Sequence, residues 1–262
     1  MIDIKNLNIV FNEGSFHEKQ ALKNINLHIE DGDFITLIGS NGAGKSTLLN
    51  AISGHTYINS GEIHAAGRNI TCMKEYKRYK FIGRLFQDPF QGTAPSLTII
   101  ENLSLAYSRG KRLSLVPAAS KSDREFYVSV LSKLNMGLED RLDTPVKLLS
   151  GGQRQALTLI MATMLKPKLL LLDEHTAALD PKTSVHIMKL TEDIIRKDRI
   201  TTIMITHNLA DAMKYGNKTL VMNNGEIICT LNQEEKESMT MSDLMKLYGN
   251  IGAQISDVNI LG

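Results

Sequence analysis

Eight consecutive residues, Gly39-Ser40-Asn41-Gly42-Ala43-Gly44-Lys45-Ser46, fit the pattern GxxxxGK[ST], and Thr47 follows them. Glycines in such a run let backbone N–H groups converge on phosphate oxygens. A helix opening directly afterwards turns its positive end toward the same oxygens. Lys45 adds a point charge near the β and γ phosphates, and the Ser46 hydroxyl is a ligand for Mg²⁺. A second constellation stands far downstream. Leu169-Leu170-Leu171-Leu172-Asp173-Glu174 is an apolar run that ends in two carboxylates. Asp173 suits a water-mediated hold on Mg²⁺. Glu174 suits a general base, or a group that orients the attacking water. Together the two segments describe a site that binds and hydrolyses a nucleoside triphosphate, with ATP and Mg²⁺ as the expected cofactors.

The elements around these residues have the form that the chemistry requires. Phe34–Ile38 is an apolar run that reads as a buried strand ending at Gly39. Gly44–Ser53 suits a helix closed by Gly54. Leu169–Leu172 reads as a buried strand with its acids at the C-terminal end, where α/β sheets place their ligands. Asn24–Ile29 alternates with period two, so residues 1–38 read as short strands. Gly61 and Gly67 mark the turns of a small hairpin around Ile63, and 80–86 reads as a further strand. From Asp88 the texture becomes helical, with apolar spacing at Ile99, Leu103, Leu105 and Ala106 over residues 98–165. The basic stretch Arg109–Ser122, with Pro117, reads as an exposed loop. Residues 200–205 read as a strand, and Asp180-Pro181 opens the helix before it. Residues 218–230 read as a hairpin over Asn223-Asn224-Gly225. The last thirty residues are polar, with an amphipathic stretch at 241–248. Strands alternating with helices imply an α/β fold with a largely parallel sheet and an inserted helical subdomain.

Leu149-Ser150-Gly151-Gly152-Gln153 reads locally as a capping box, Ser150 with Gln153 three residues on. A capped helix start with two glycines is also an anion site. The same five residues match in full the signature of the ABC ATPase family, and the chain resembles that family over residues 1 to about 230. The resemblance implies an α/β P-loop NTPase, RecA-like core with an N-terminal antiparallel β subdomain and an inserted α-helical subdomain. Its expected boundaries are 1–87 and 166–230 for the catalytic core, 88–165 for the helical insertion, and 231–262 for a C-terminal extension. It implies that Ser150, Gly151, Gly152 and Gln153 contact the γ-phosphate held by a second subunit, in a head-to-tail homodimer enclosing two ATP molecules. Gln87 resembles the Q-loop glutamine that touches Mg²⁺ or the water. Ala178-Leu179-Asp180 resembles the D-loop, and His207, after Met204-Ile205-Thr206, resembles the switch histidine at the γ-phosphate. Phe11 is the candidate for stacking on adenine, with Phe16 as the alternative. One departure is His175, where many family members carry proline. A packing difference is favoured over a contact with the nucleotide.

The segment Gln87–Thr98, followed by Ile100–Leu103, falls where the family's transporters receive a membrane partner. Its Gly92-Thr93-Ala94-Pro95 element, with Glu174-His175-Thr176, resembles bacterial importer ATPases that work with a branched-chain-amino-acid-type permease and a solute-binding protein. The resemblance therefore implies a peripheral subunit on the cytoplasmic face of the membrane, powering uptake of a small solute such as an amino acid. An exporter ATPase would share every motif. An iron–sulfur assembly ATPase is the second alternative, and such proteins usually depart from the run Gln153-Arg154-Gln155. One phosphate loop and no long coiled-coil insertion argue against DNA-repair and translation ATPases.

Bulk composition sets the outer limits. The 262 residues carry 30 Lys and Arg against 28 Asp and Glu, a net charge of +2, so a broad nucleic-acid surface is not expected. Cys72 and Cys229 lie far apart and in no CxxC pair, which reads as two reduced thiols. The alternating start Met1-Ile2-Asp3-Ile4-Lys5 reads as a strand and not as an export signal. The longest apolar stretch, Ala156–Leu172, is broken by Lys166-Pro167-Lys168, so no membrane-spanning segment is expected.

Overall fold

The computed structural model describes residues 1–109, 120–240 and 242–245. The strands are β1 (Ile2–Phe11), β2 (Lys19–Ile29), β3 (Phe34–Gly39), β4 (Ser60–Ala65), β5 (Arg68–Asn69), β6 (Ile82–Leu85), β7 (Leu169–Asp173), β8 (Thr201–Ile205), β9 (Lys218–Asn223) and β10 (Glu226–Leu231). The helices are α1 (Lys45–Ser53), α2 (Glu75–Arg78), α3 (Ile99–Tyr107), α4 (Lys121–Leu131), α5 (Gly151–Thr163), α6 (Pro181–Asp198), α7 (Leu209–Lys214) and α8 (Gln233–Ser238). Contacts divide the chain into two compact units. One combines 1–78 with the residues from 199 onward, and the other is 79–198.

In the first unit, β3 is buried at every position and lies parallel to both β8 and β9. A strand buried at every position must have both faces covered, and the one polar side chain, Thr36, is satisfied by the Ala212 carbonyl and the Thr219 hydroxyl. The β9–β10 hairpin turns over Asn224 and Gly225, as the Asn-Asn-Gly run predicts. An antiparallel sheet in the order β2-β1-β4-β5 forms the N-terminal part. Its strands are longer than the short strands expected from the alternation: β1 has 10 residues and β2 has 11. Gly61 lies inside β4 and not in a turn. A side-chain Cβ there would come within 2.4 Å of the Asn6 carbonyl, so the glycine marks a close backbone approach.

Two buried charged groups brace this unit. Arg78 is 2% exposed, and its guanidinium donates to the carbonyls of Ala51, Ile52, Thr71 and Met73. It thereby satisfies orphan carbonyls at the C-terminus of α1. Lys236 of α8 donates to the carbonyls of Tyr215 and Gly216 at 2.7 and 3.0 Å, and burial pulls its pKa down to about 8. Leu244 is fully buried beside Ile38, Leu209, Val221 and Leu231. Met241, and residues 246–262 of the expected extension, lie outside the described residues.

In the second unit, β6 and β7 pair in parallel, Ile82 opposite Leu169 through Leu85 opposite Leu172. Helices α3, α4, α5 and α6 share one core that includes Ile99, Leu103, Tyr127, Leu131, Leu157, Ile160 and Ile187. Ile99, Leu103 and Ala106 face this core as their spacing predicts, whereas Leu105 points outward at 56% exposure. A residue two positions beyond Leu103 falls on the opposite helix face. Between α4 and α5 the chain is mostly turns and short 3₁₀ segments, so the stretch 98–165 is less helical than its texture suggests. The expected basic loop at 109–122 falls largely outside the described residues.

Candidate functional site

The phosphate loop joins β3 to α1 in the first unit. Gly44 stands before α1 with φ of 103°, a left-handed conformation in which a side chain is strained. A Cβ at Gly44 would also lie 2.7 Å from the Ala21 carbonyl. Only glycine lets the chain enter the helix here while the loop's N–H groups curl inward. Ala43 closes the turn by donating to the Ser40 carbonyl at 3.1 Å, and its own carbonyl accepts from Gly225 at 3.0 Å. Lys45 is buried, and its ammonium lies across the loop, donating to the carbonyls of Gly39 and Ser40 at 2.7 and 3.0 Å. Ser46 is exposed in the first turn of α1, and Thr47 is half-buried.

His207 follows β8, the strand beside β3. Thr206 donates its amide to the Leu37 carbonyl at 3.3 Å, which fixes the exit of β8 against the end of β3. Asn208 then caps α7 by accepting from Ala210 and Asp211. His207 is thus held between two anchored neighbours on the strand edge that leads to the phosphate loop. Phe11 ends β1 at 41% exposure, and Phe16 in the following loop is fully exposed.

Lys19 gave no signal in the sequence. It stands opposite Phe11 in the β1–β2 register, and its ammonium lies 4.0 Å from where a side chain at Gly42 would begin. Register and loop geometry place it between the exposed aromatic and the phosphate loop. Neither can be read from a surface lysine in one dimension.

The second unit holds the carboxylates and the capped glycines. Asp173 ends β7 and pairs with Arg84 of β6 at 3.7 Å, with both side chains largely buried. Arg84 also lies over the Phe86 ring, 4.6 Å from its centroid. Phe86 immediately precedes Gln87, which is exposed. Glu174 takes a left-handed backbone with φ of 47°. For a residue with a side chain that conformation costs on the order of 1 kcal/mol and redirects the chain sharply at the end of the strand. The Glu174 carbonyl accepts from Ala177 at 3.0 Å, which closes the tight turn that follows.

His175 points away from this edge. It is 3% exposed, its Nε2 stands 3.3 Å from the Thr191 hydroxyl of α6, and burial lowers its pKa to about 4. It is a neutral packing residue. Asp180 precedes α6 and accepts from Thr183. Hydrogen bonds from the Thr183 side chain and amide hold its carboxyl below the usual range.

The capping box at α5 is complete. Gln153 donates its amide to the Ser150 hydroxyl at 3.2 Å, and the Gln153 side-chain carbonyl accepts from the Ser150 amide at 3.3 Å. Ser150 and Gly151 are exposed, whereas Gly152 is buried. A Cβ on Gly152 would strike the Thr183 methyl at 2.3 Å, so glycine there permits α5 and α6 to approach.

The ABC transporter family model matches residues 22–177. A tyrosine transport ATP-binding protein of Clostridioides difficile is 44% identical over 248 residues, spanning 95% of this chain and 98% of that protein. A thiamine import ATP-binding protein of Photobacterium profundum is 34% identical over 87% of this chain and 90% of its own length. Among solved structures, a dimeric ATP-binding cassette in a post-hydrolysis state with ADP and Pi matches with a TM-score of 0.77 at 27% identity. It covers 89% of this chain and 99% of that one. A component of an ABC transporter complex from Clostridium perfringens matches with a TM-score of 0.76 at 29% identity, over 94% and 93%. The chain belongs to the ABC transporter family. It is an ATP-binding, ATP-hydrolysing subunit with the α/β fold of the P-loop NTPases.

Proposed function

We propose that the chain powers a bacterial importer for a small solute, with an aromatic amino acid as the favoured cargo. The carrying observation is the 44% identity, over nearly the whole of both chains, to a protein named for tyrosine transport. Two copies close head to tail on two ATP molecules, beneath an integral-membrane permease and on its cytoplasmic side. A solute-binding protein delivers the cargo from outside. Among the described residues no helix is long and apolar enough to cross a membrane.

In this reading the loop Gly39–Thr47 wraps the triphosphate, and Lys45 leaves its own loop carbonyls for the β and γ phosphates. Phe11 stacks on adenine. Mg²⁺, when bound, would supply positive charge to offset the charge that develops on the leaving diphosphate. The Ser46 hydroxyl, the Gln87 amide oxygen and the Asp173 carboxylate are the residues that would hold it. All are hard oxygen donors, and three is a fitting number for an ion that takes its other ligands from phosphate and water. Glu174 accepts the proton of the attacking water. His207 and the partner's signature segment, Ser150–Gln153, donate to the γ-phosphate. Asp180 keeps its charge at the subunit boundary.

Replacing Glu174 by Gln tests the core of this scheme. The variant should bind ATP, form a stable dimer on size exclusion and turn over at less than about 1% of the wild-type rate. Turnover near the wild-type rate would remove Glu174 from its role. Uptake of labelled tyrosine by cells carrying the intact and the Glu174→Gln subunit tests the cargo.

A further inference from the structure

We propose that Arg154 and Phe90 form a latch that sets the orientation of the signature segment from the segment that follows Gln87. This rests on the ATPase reading above and assigns a positioning role to two residues outside its chemistry. The Arg154 guanidinium lies over the Phe90 ring, with Cζ 3.7 Å from the centroid. The same guanidinium donates to the carbonyls of Leu149 and Lys147 at 2.9 and 3.4 Å. Those carbonyls belong to the chain entering Ser150, so one guanidinium nitrogen, Nη2, holds the approach to α5 while the group rests on the ring. Arg154 is 7% exposed, whereas Phe90 is 43% exposed.

The ring is itself well placed. Asp88 accepts from the Phe90 amide at 2.9 Å and caps the short 3₁₀ segment Pro89–Gly92. One helical turn beyond Arg154, Thr158 packs under Gly92, where a Cβ would come within 3.3 Å of the threonine methyl. The segment therefore rests on α5 at two levels. Farther on, Asn102 ties the chain down by accepting from the Ala94 amide and donating to the carbonyls of Ala94 and Thr98. A displacement of Gln87–Gly92 must then either carry Arg154 with it or break the stack. In the first case the Leu149 and Lys147 carbonyls lose their donor and the approach to Ser150 shifts; in the second the guanidinium loses the ring that holds it against those carbonyls. A lysine at 154 could not do this, because an ammonium lacks the planar face that stacks on the ring.

The test uses Arg154→Met, Phe90→Leu, the double variant and Phe90→Tyr, each as the full chain. Amide hydrogen exchange at residues 149–153 is read without nucleotide, and kcat and KM for MgATP are read at steady state. Each single change should speed exchange at these amides about 5- to 10-fold and lower kcat by a similar factor, with KM inside twofold. The double variant should be no worse than the poorer single, and Phe90→Tyr should match wild type. Phe90 is partly exposed, so Phe90→Leu can be read even if Arg154→Met folds poorly. Multiplying effects in the double variant overturn the latch. So does unchanged exchange at 149–153 in Phe90→Leu, or a loss confined to KM. A wild-type chain that hydrolyses no ATP would sink the ATPase reading instead, and exchange would still decide the latch.

Discussion

The amide of Gly225 donates to the carbonyl of Ala43 at 3.0 Å, while the Gly225 carbonyl accepts from Lys23 at 2.8 Å. The tip of the β9–β10 hairpin is thereby wedged between β2 and the middle of the phosphate loop. Gly225 has φ of 83°, and a Cβ there would lie 2.8 Å from the Ala21 carbonyl. Gly225→Ala should lower stability by about 1–2 kcal/mol and weaken ATP binding severalfold. Thermal unfolding and titration with a fluorescent ATP analogue check this. Unaltered ATP affinity would show that the loop stands without its wedge.

His175 gives the fold a pH dependence with a defined sign. Its folded pKa of about 4 lies below the unfolded value of about 6.5. Between these values the unfolded chain binds the extra proton. The contribution is therefore whole above pH 6.5 and is lost as pH falls toward 4, by up to about 3 kcal/mol. His175→Gln retains a polar group near Thr191 but does not titrate. Denaturant unfolding at pH 7 and pH 4.5 should show a smaller loss for the variant. Equal losses would refute the assignment.

Asp33 acts at a lower pH. Burial opposes its charge, but hydrogen bonds from Lys218, Asn217 and the Glu30 amide prevail and hold its pKa below 3.8. This stabilisation is present above the unfolded pKa and disappears as pH falls through the folded one. Asp33→Asn should cost on the order of 1–3 kcal/mol at pH 7, since Lys218 loses its counter-charge, and the deficit should shrink toward pH 2. Unfolding midpoints across pH 2–7 measure it.

Arg84 and Asp173 form a partly buried pair at 3.7 Å. Removing the cation in Arg84→Met takes an ion-pair partner from the carboxylate, with an expected destabilisation of about 2 kcal/mol. The added effect on function should be a fall in kcat of about tenfold, because Asp173 and the Phe86 ring that precedes Gln87 both lose their contact with Arg84. Wild-type kcat in a folded variant would confine Arg84 to stability.

Lys19 is expected to act on binding alone. Lys19→Ala should raise the ATP dissociation constant roughly threefold to tenfold at low salt, and the difference should narrow as ionic strength rises. Isothermal titration at 50 and 500 mM salt distinguishes this from a salt-independent, structural effect.

Much of this architecture was legible beforehand because its signals are local. An apolar run followed by Gly39–Ser46 reads as a strand feeding a phosphate loop, and Leu169–Asp173 gains its meaning from being paired with that loop. Ser150 with Gln153 spelled out its own capping box. What escaped was whatever depends on register or through-space geometry. Lys19 meets Phe11 only once β1 and β2 pair. The Arg154–Phe90 stack joins residues more than sixty positions apart in sequence. Gly61 looked like a turn because a glycine needed for close backbone approach has the same letter as one needed for reversal. His175 stood next to a carboxylate in sequence, but a left-handed step at Glu174 turned it inward.

The buried ammonium of Lys236 also limits how the chain can be shortened. A version stopped after Leu231 would lose the only donor described for the carbonyls of Tyr215 and Gly216, and it would uncover the apolar seat of Leu244. The family match ends at residue 177, yet the hydrophobic seal behind β3 and β9 is finished some seventy residues later. Affinity tags and fusion partners are therefore better tolerated beyond Leu244 than at the apparent edge of the cassette.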